Sequence, residues 1–251
     1  MIRIVLVAST VILFLTFAVP VMLYLERKMK RDPERAQWRS LKIVKAVFRF
    51  ILKIAGVTYE AYGLENIPPD RAVLYVGNHR SYFDILVGYV TVPGLMGFVA
   101  KKEMLRYPFL RNWMRLVNCV FLDRKNVKEA LKSIMEAIGK LKNGISIWIF
   151  PEGTRNVNDR LTDLMEFREG SLKMAEKSGC PVIPVAISGT AAIFEDHMPW
   201  IRPGHVVIRF GEPIDLKSLA GEEKKFPGAY VRGKLISMLE EMENSSTEER
   251  V

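Results

Sequence analysis

The segment Asn78-His79-Arg80-Ser81-Tyr82-Phe83-Asp84 holds one of only three histidines in the 251-residue chain, five positions ahead of an aspartate. An imidazole hydrogen-bonded to a carboxylate is a general base with its orienting partner. Five residues along one helix turn through about 500°, which puts the two side chains on different faces. Contact therefore requires a bend, with His79 in a loop and Asp84 in the first turn of a helix. A second reading of the same residues is structural: Ser81 is a good N-cap, and Asp84 three residues on completes a capping-box-like pattern at the positive end of the helix. The preceding run, Arg71 to Gly77, has the apolar, β-branched character of a buried strand. A strand–loop–helix junction satisfies both readings, so these seven residues alone do not choose between them.

Four polar clusters of this kind follow apolar runs. After "MGFVA" come Lys101, Lys102 and Glu103; after "NCVFL" come Asp123 and Arg124; after "ISIWIF" come Pro151, Glu152, Gly153, Thr154 and Arg155. The elements that must position them alternate. Strand-like runs lie near 57–62, 71–77, 96–100, 118–122, 145–150, 182–188 and 205–210. Helical patterns lie over 127–142 (Asn126 as cap, Gly144 past the end), 166–178 and 229–242. Alternation predicts an α/β fold with a largely parallel mixed sheet covered by helices. In such sheets the loops at the carboxyl ends of strands collect on one rim, which would gather one imidazole and three or four cations.

The net charge of +9 is concentrated at the front of the chain: residues 1–56 carry 11 Lys+Arg against 3 Asp+Glu, leaving 26 against 25 in the rest. Residues 4–25 are free of charge, and as a helix they would extend about 33 Å, enough to cross a bilayer. Pro20 predicts a kink or a shortened straight part. In residues 38–55, Arg39, Lys42, Lys45, Arg49 and Lys53 form one helical stripe among apolar residues, the pattern of a helix lying on an anionic membrane surface. A two-helix anchor in one leaflet is the preferred expectation, with a true span as the alternative and packing on the domain as the structural reading of the second helix. Arg27, Lys28, Lys30 and Arg31 keep the remainder of the chain in the cytoplasm by the positive-inside rule. Cys119 and Cys180 have no CxxC or histidine companions, which argues against a disulfide framework or zinc site.

The polar clusters match a family. The chain resembles the glycerophospholipid acyltransferases, most closely the bacterial 1-acyl-sn-glycerol-3-phosphate acyltransferases, and the likeness covers about residues 70–190. The H-x4-D block is His79…Asp84. The second block is "NCVFLDR", ending at Arg124. The third, F-P-E-G-T-R, is intact from Phe150 to Arg155, and the fourth, a proline-centred apolar strand, is "PVIPV" at 181–185. "AKKE" at 100–103 and "FREG" at 167–170 also look familial. Asn118 departs from the family's usual glycine in the second block; asparagine is the next-best residue for a left-handed backbone.

The resemblance implies transfer of a fatty acyl group from a thioester, acyl carrier protein or acyl-CoA, to the sn-2 hydroxyl of lysophosphatidic acid. His79 is implied as base and Asp84 as its partner. Lys101, Arg124, Glu152, Gly153, Thr154 and Arg155 are implied in substrate binding, the cations on the phosphate, with a backbone N–H of the Gly153 loop for the oxyanion. No cofactor, metal or nucleic-acid partner is implied. Residues 1–56 are then the anchor, 57–243 the catalytic domain on the cytoplasmic face of the inner membrane, and 244–251 a disordered tail. Acylation of glycerol-3-phosphate at sn-1, or of another lysophospholipid, is the alternative within the family. A serine lipase would need G-x-S-x-G, which the chain lacks.

Overall fold

The computed structural model describes residues 1–248. Three helices open the chain: α1 (Ile2–Phe17), α2 (Val19–Met29) and α3 (Pro33–Ala55). Next come β1 (Val57–Tyr62), β2 (Leu74–Gly77), α4 (Phe83–Thr91), β3 (Met96–Lys101), α5 (Pro108–Leu116), β4 (Val120–Leu122), α6 (Val127–Lys142) and β5 (Ser146–Ile149). The last elements are α7 (Lys173–Ser178), β6 (Val182–Ser188), β7 (Gly204–Phe210), α8 (Gly221–Lys225) and α9 (Pro227–Glu248). All seven strands fall on the expected runs and form one sheet in the order β1-β7-β6-β2-β5-β3-β4. Every pairing is parallel except β6 with β7. The centre of the sheet explains its sequence: β2 and β5 are buried at every residue, as strands covered on both faces must be.

The helix termini obey local chemistry. The Asn126 side chain accepts from the N–H groups of Lys128 and Glu129 to start α6, and Gly144 closes it at φ +78°. Asp32 and Pro33 start α3, and left-handed Gly56 ends it. Proline lacks the N–H that would continue the α1 ladder, and the chain bends by 55° between α1 and α2, with Pro20 in the first turn of α2. Among the described residues no single helix is long and apolar enough to cross a membrane; the bent α1–α2 pair reaches that length and composition only together.

Three expectations change in detail. The helix expected over 166–178 is shortened to α7 because the Arg168 N–H donates to the Pro151 carbonyl, tying residues 167–168 to the loop after β5 instead. Helix α9 runs on to Glu248, so residues 244–248, expected in a disordered tail, continue the helix; residues 249–251 lie outside the described residues. The stripe on α3 is incomplete: Lys45 turns inward to donate to the Val92 carbonyl at the end of α4. The opposite face of α3 buries Leu41, Val44, Leu52 and Ala55 in the main core, shared with Tyr75, Trp148 and Phe210 of the sheet.

Candidate active site

The site begins where β2 leaves the sheet. Asn78 locks that exit: its side-chain amide donates to the Ile187 carbonyl and its oxygen accepts the Ile187 N–H, each at 2.8 Å, fastening the end of β2 to β6. His79 comes next, in the loop. Its Nδ1 lies 2.8 Å from Asp84 Oδ2, in the first turn of α4. Because an ionised carboxylate only accepts, Nδ1 carries the proton and Nε2 is left to act as base. The ring stacks on Phe150 of the intact third block, with centroids 4.0 Å apart and planes 9° from parallel.

The contact that the first reading requires is present, and the helix start that the second reading expects is shifted. Helix α4 starts at Phe83, so Ser81 lies one position too early to be its N-cap; its hydroxyl accepts from the Phe83 N–H. Asp84 reaches back and takes the N–H groups of Arg80 and Ser81 on Oδ2, both at 2.8 Å, alongside His79. Its Oδ1 accepts the Thr190 hydroxyl at 2.6 Å. Asp84 is therefore a structural clasp and the partner of the imidazole at once.

Glu152 is 4% exposed and faces the back of this loop. One oxygen accepts the His79 N–H at 3.1 Å; the other accepts Asn156 Nδ2 and the Met165 N–H. Burial pushes its carboxyl above the ordinary glutamate range, and these donors pull it part of the way back. It holds the backbone of His79. Gly153 is favoured by its left-handed φ of +78°, and the Arg168 side chain packs over it so that a Cβ there would stand 2.5 Å from Arg168 Nε.

A cavity of about 520 Å³ opens beside His79. Its apolar lining includes Val11 and Phe14 of α1, Val44 and Phe48 of α3, and Trp113 of α5. Its cationic lining is Lys101, Arg124, Arg155 and Arg168, with Gly153 and Thr154 on the same wall. The four carboxyl-terminal loops thus do share one rim. The cations differ in their company. The Arg155 guanidinium lies 2.8 Å from Glu195 Oε1 and over the Tyr82 ring, and Glu195 also takes the Tyr82 N–H. Arg124 has no such relief: its Nε is buried with no hydrogen-bond partner among the described residues, and burial together with neighbouring Arg168 holds its guanidinium below the ordinary arginine range. A half-buried guanidinium with an unpartnered Nε, beside the exposed charge of Arg168 in the same cavity wall, calls for an anion.

The residues from β1 to the end of β6 match the family model "Acyltransferase", over 58–188. The chain belongs to the acyltransferase family. It is 31% identical over 201 residues to the 1-acyl-sn-glycerol-3-phosphate acyltransferase of Borreliella burgdorferi, covering 80% of this chain and 79% of that one. It is 25% identical over 205 residues to the human 1-acyl-sn-glycerol-3-phosphate acyltransferase alpha, covering 81% and 71%. The crystal structure of the 1-acyl-sn-glycerophosphate acyltransferase PlsC from Thermotoga maritima superposes with a TM-score of 0.80 at 30% identity, over 96% of this chain and 95% of that one. This acyltransferase is an enzyme built on the mostly parallel α/β sheet that the alternating pattern predicts.

Three residues of the acyltransferase site were not singled out in the sequence. Thr190 and Glu195 lie in the connection after β6, 106 residues from Asp84 in the one case and 113 from Tyr82 and 40 from Arg155 in the other, and no local pattern marks them. Arg168 did carry a signal, standing in the familial "FREG", yet nothing in that segment ties it to Gly153. Asn118 takes the left-handed conformation its place in the second block required, at φ +64°. Its carbonyl is pressed against Gly97, where a Cβ would lie 2.0 Å away.

Proposed function

We propose that the enzyme transfers a fatty acyl group from an acyl thioester to the sn-2 hydroxyl of 1-acyl-glycerol-3-phosphate, giving phosphatidic acid. The observation that carries this reading is the cavity itself, whose wall joins apolar side chains of the N-terminal helices and α5, four cations and His79. That is the chemical outline of a lysophospholipid bearing a phosphomonoester. The names of the relatives point the same way. His79 Nε2 takes the proton of the acceptor hydroxyl as it attacks the thioester carbonyl, and Asp84 stabilises the imidazolium that forms. The thiolate leaves and recovers that proton. The Gly153 N–H is engaged by the Phe150 carbonyl, which leaves the N–H of Thr154, on the cavity wall, as the loop's donor for the oxyanion. A purified-enzyme assay crossing acyl carrier protein and CoA donors with lysophosphatidic acid and glycerol-3-phosphate tests the assignment. Turnover confined to glycerol-3-phosphate would replace it with sn-1 acylation.

Transfer is direct in this reading. A covalent route needs an activated serine or cysteine. Burial pushes both the Cys119 and Cys180 thiols up, away from the reactive thiolate. Incubation with radiolabelled acyl donor alone should leave no label on denatured protein, and a Cys119→Ala/Cys180→Ala variant should keep most of its activity. Stoichiometric label that lysophosphatidic acid discharges would establish an acyl-enzyme instead.

The bent helix pair and α3 serve as an anchor in one leaflet of an anionic membrane, with the sheet domain on the cytoplasmic side. Ile12, Leu13 and Phe17 are 64, 53 and 74% exposed on α1, and Trp38 and Phe50 about half exposed on α3. Arg39, Lys42, Arg49 and Lys53 remain on the outer face of α3. Deleting residues 1–56 would also strip α3 from the core, so substitution is the cleaner test. Ile12→Gln/Leu13→Gln/Phe17→Gln should weaken sedimentation with anionic vesicles at least about tenfold, since each buried apolar side chain is worth roughly 1.5–3 kcal/mol. Charge reversal at the four cations should weaken it in a salt-dependent way. Unchanged binding by both variants would place the membrane contact elsewhere.

A further inference from the structure

We propose that Thr190 is a positioning residue for the reaction, holding the Asp84 carboxylate in the orientation that aligns His79, and that this is what the connection after the fourth sequence block supplies. The inference builds on the reading of His79 and Asp84 as base and partner.

Asp84 is 1% exposed and Thr190 2%, so neither side chain has bulk water as an alternative partner. The Thr190 Oγ1 to Asp84 Oδ1 distance of 2.6 Å is that of a charge-assisted O–H···O⁻ bond. It is the only hydrogen bond to Oδ1 among the described residues; Oδ2 takes His79 Nδ1 and two backbone N–H groups. With three donors on one oxygen, the carboxylate plane is set by whatever holds the other. Thr190 is placed for this by the sheet. Strands β2 and β6 are parallel neighbours, so their carboxyl ends open on the same rim, and the paired Asn78–Ile187 bonds lock the two ends together. Past β6, Gly189 makes a left-handed turn at φ +86° so close to the His205 carbonyl that a Cβ would lie 2.1 Å from it. That turn delivers Thr190 to the start of α4. The β-branched side chain restricts χ1, which reduces the freedom lost in aiming the hydroxyl.

Removing the hydroxyl leaves Oδ1 buried without a donor, and the carboxylate loses its fixed orientation toward the imidazole. Thr190→Val, close in shape, should lower kcat about 10- to 100-fold and leave KM for both substrates within about twofold, because Thr190 is not on the cavity wall. Thr190→Ser should restore at least about half of the wild-type kcat. The decisive measurement is a cycle with Asp84→Ala, read by single-turnover acylation of whichever acceptor the wild-type enzyme uses. With no carboxylate to orient, adding Thr190→Val should cost less than about twofold further. If Thr190→Val lowers the rate by the same factor with and without Asp84, the residue is merely structural and the proposal fails. It fails equally if a folded Thr190→Val enzyme keeps wild-type kcat. Neither outcome touches the assignment of the substrates, which the wild-type assay decides separately.

Discussion

Replacing His79 by alanine should lower kcat by at least about two orders of magnitude while leaving the fold intact. General-base assistance contributes typically 10²–10⁴ in rate, and no second imidazole lines the cavity. The backbone of the loop is held independently of the ring, by Glu152 at the His79 N–H and by the Asn156 N–H at the His79 carbonyl, so the truncated loop keeps its place. What is lost besides the base is the stack on Phe150 and the Nδ1–H bond to Asp84 Oδ2, an oxygen that keeps the Arg80 and Ser81 N–H groups. Asp84→Asn should cost no more than His79→Ala. An amide with its oxygen at the Oδ2 position still accepts from His79, Arg80 and Ser81, and its NH₂ can donate to Thr190 Oγ1, so the geometry survives and only the charge opposite the imidazolium disappears. Steady-state turnover with a thermal melt on each variant checks both. A normally folded His79→Ala enzyme with near wild-type turnover would falsify the dyad.

How far the sequence discloses the site depends on whether a contact is local. The strands were legible because a sheet covered on both faces imposes apolar runs, and α6 because its cap, its periodicity and its glycine agree. His79 and Asp84 were legible because five residues suffice to bring them together once a loop intervenes. The cations were legible as the polar ends of apolar runs. The unpaired state of Arg124, the pairing of Arg155 with Glu195 and the bond from Thr190 to Asp84 depend on strands brought together across the sheet, and no spacing records them. The stripe on α3 shows the converse limit. Its 3-3-4-4 spacing predicts one face correctly, yet Lys45 leaves that face because the Val92 carbonyl at the end of α4 lies within its reach. Periodicity assigns a side chain to a face; the neighbour decides where its charge goes.

The cations of the cavity should not be equivalent. Arg124→Ala should raise KM for lysophosphatidic acid about 10- to 100-fold, the range expected from losing one charge-assisted contact worth roughly 1.5–3 kcal/mol. The difference lies in what each guanidinium lacks without ligand. Arg124 is desolvated, has a buried Nε without a partner among the described residues, and faces Arg168, so an arriving phosphate relieves both an unpaired donor and a like-charge contact. Arg168→Ala should behave similarly toward lysophosphatidic acid, although its packing on Gly153 makes a melt necessary beside the kinetics. Arg155 already has Glu195 at 2.8 Å and the Tyr82 ring beneath it, so its charge is largely answered before substrate binds. Arg155→Ala should therefore raise the same KM, but by less than Arg124→Ala. It should also disturb the start of α4, because Glu195 holds the Tyr82 N–H there. KM for the acyl donor should change less than KM for the acceptor in all three variants. Equal effects of Arg124→Ala on both substrates would move that arginine to the donor site, and a larger effect from Arg155 than from Arg124 would show that Glu195 releases its partner when the acceptor binds.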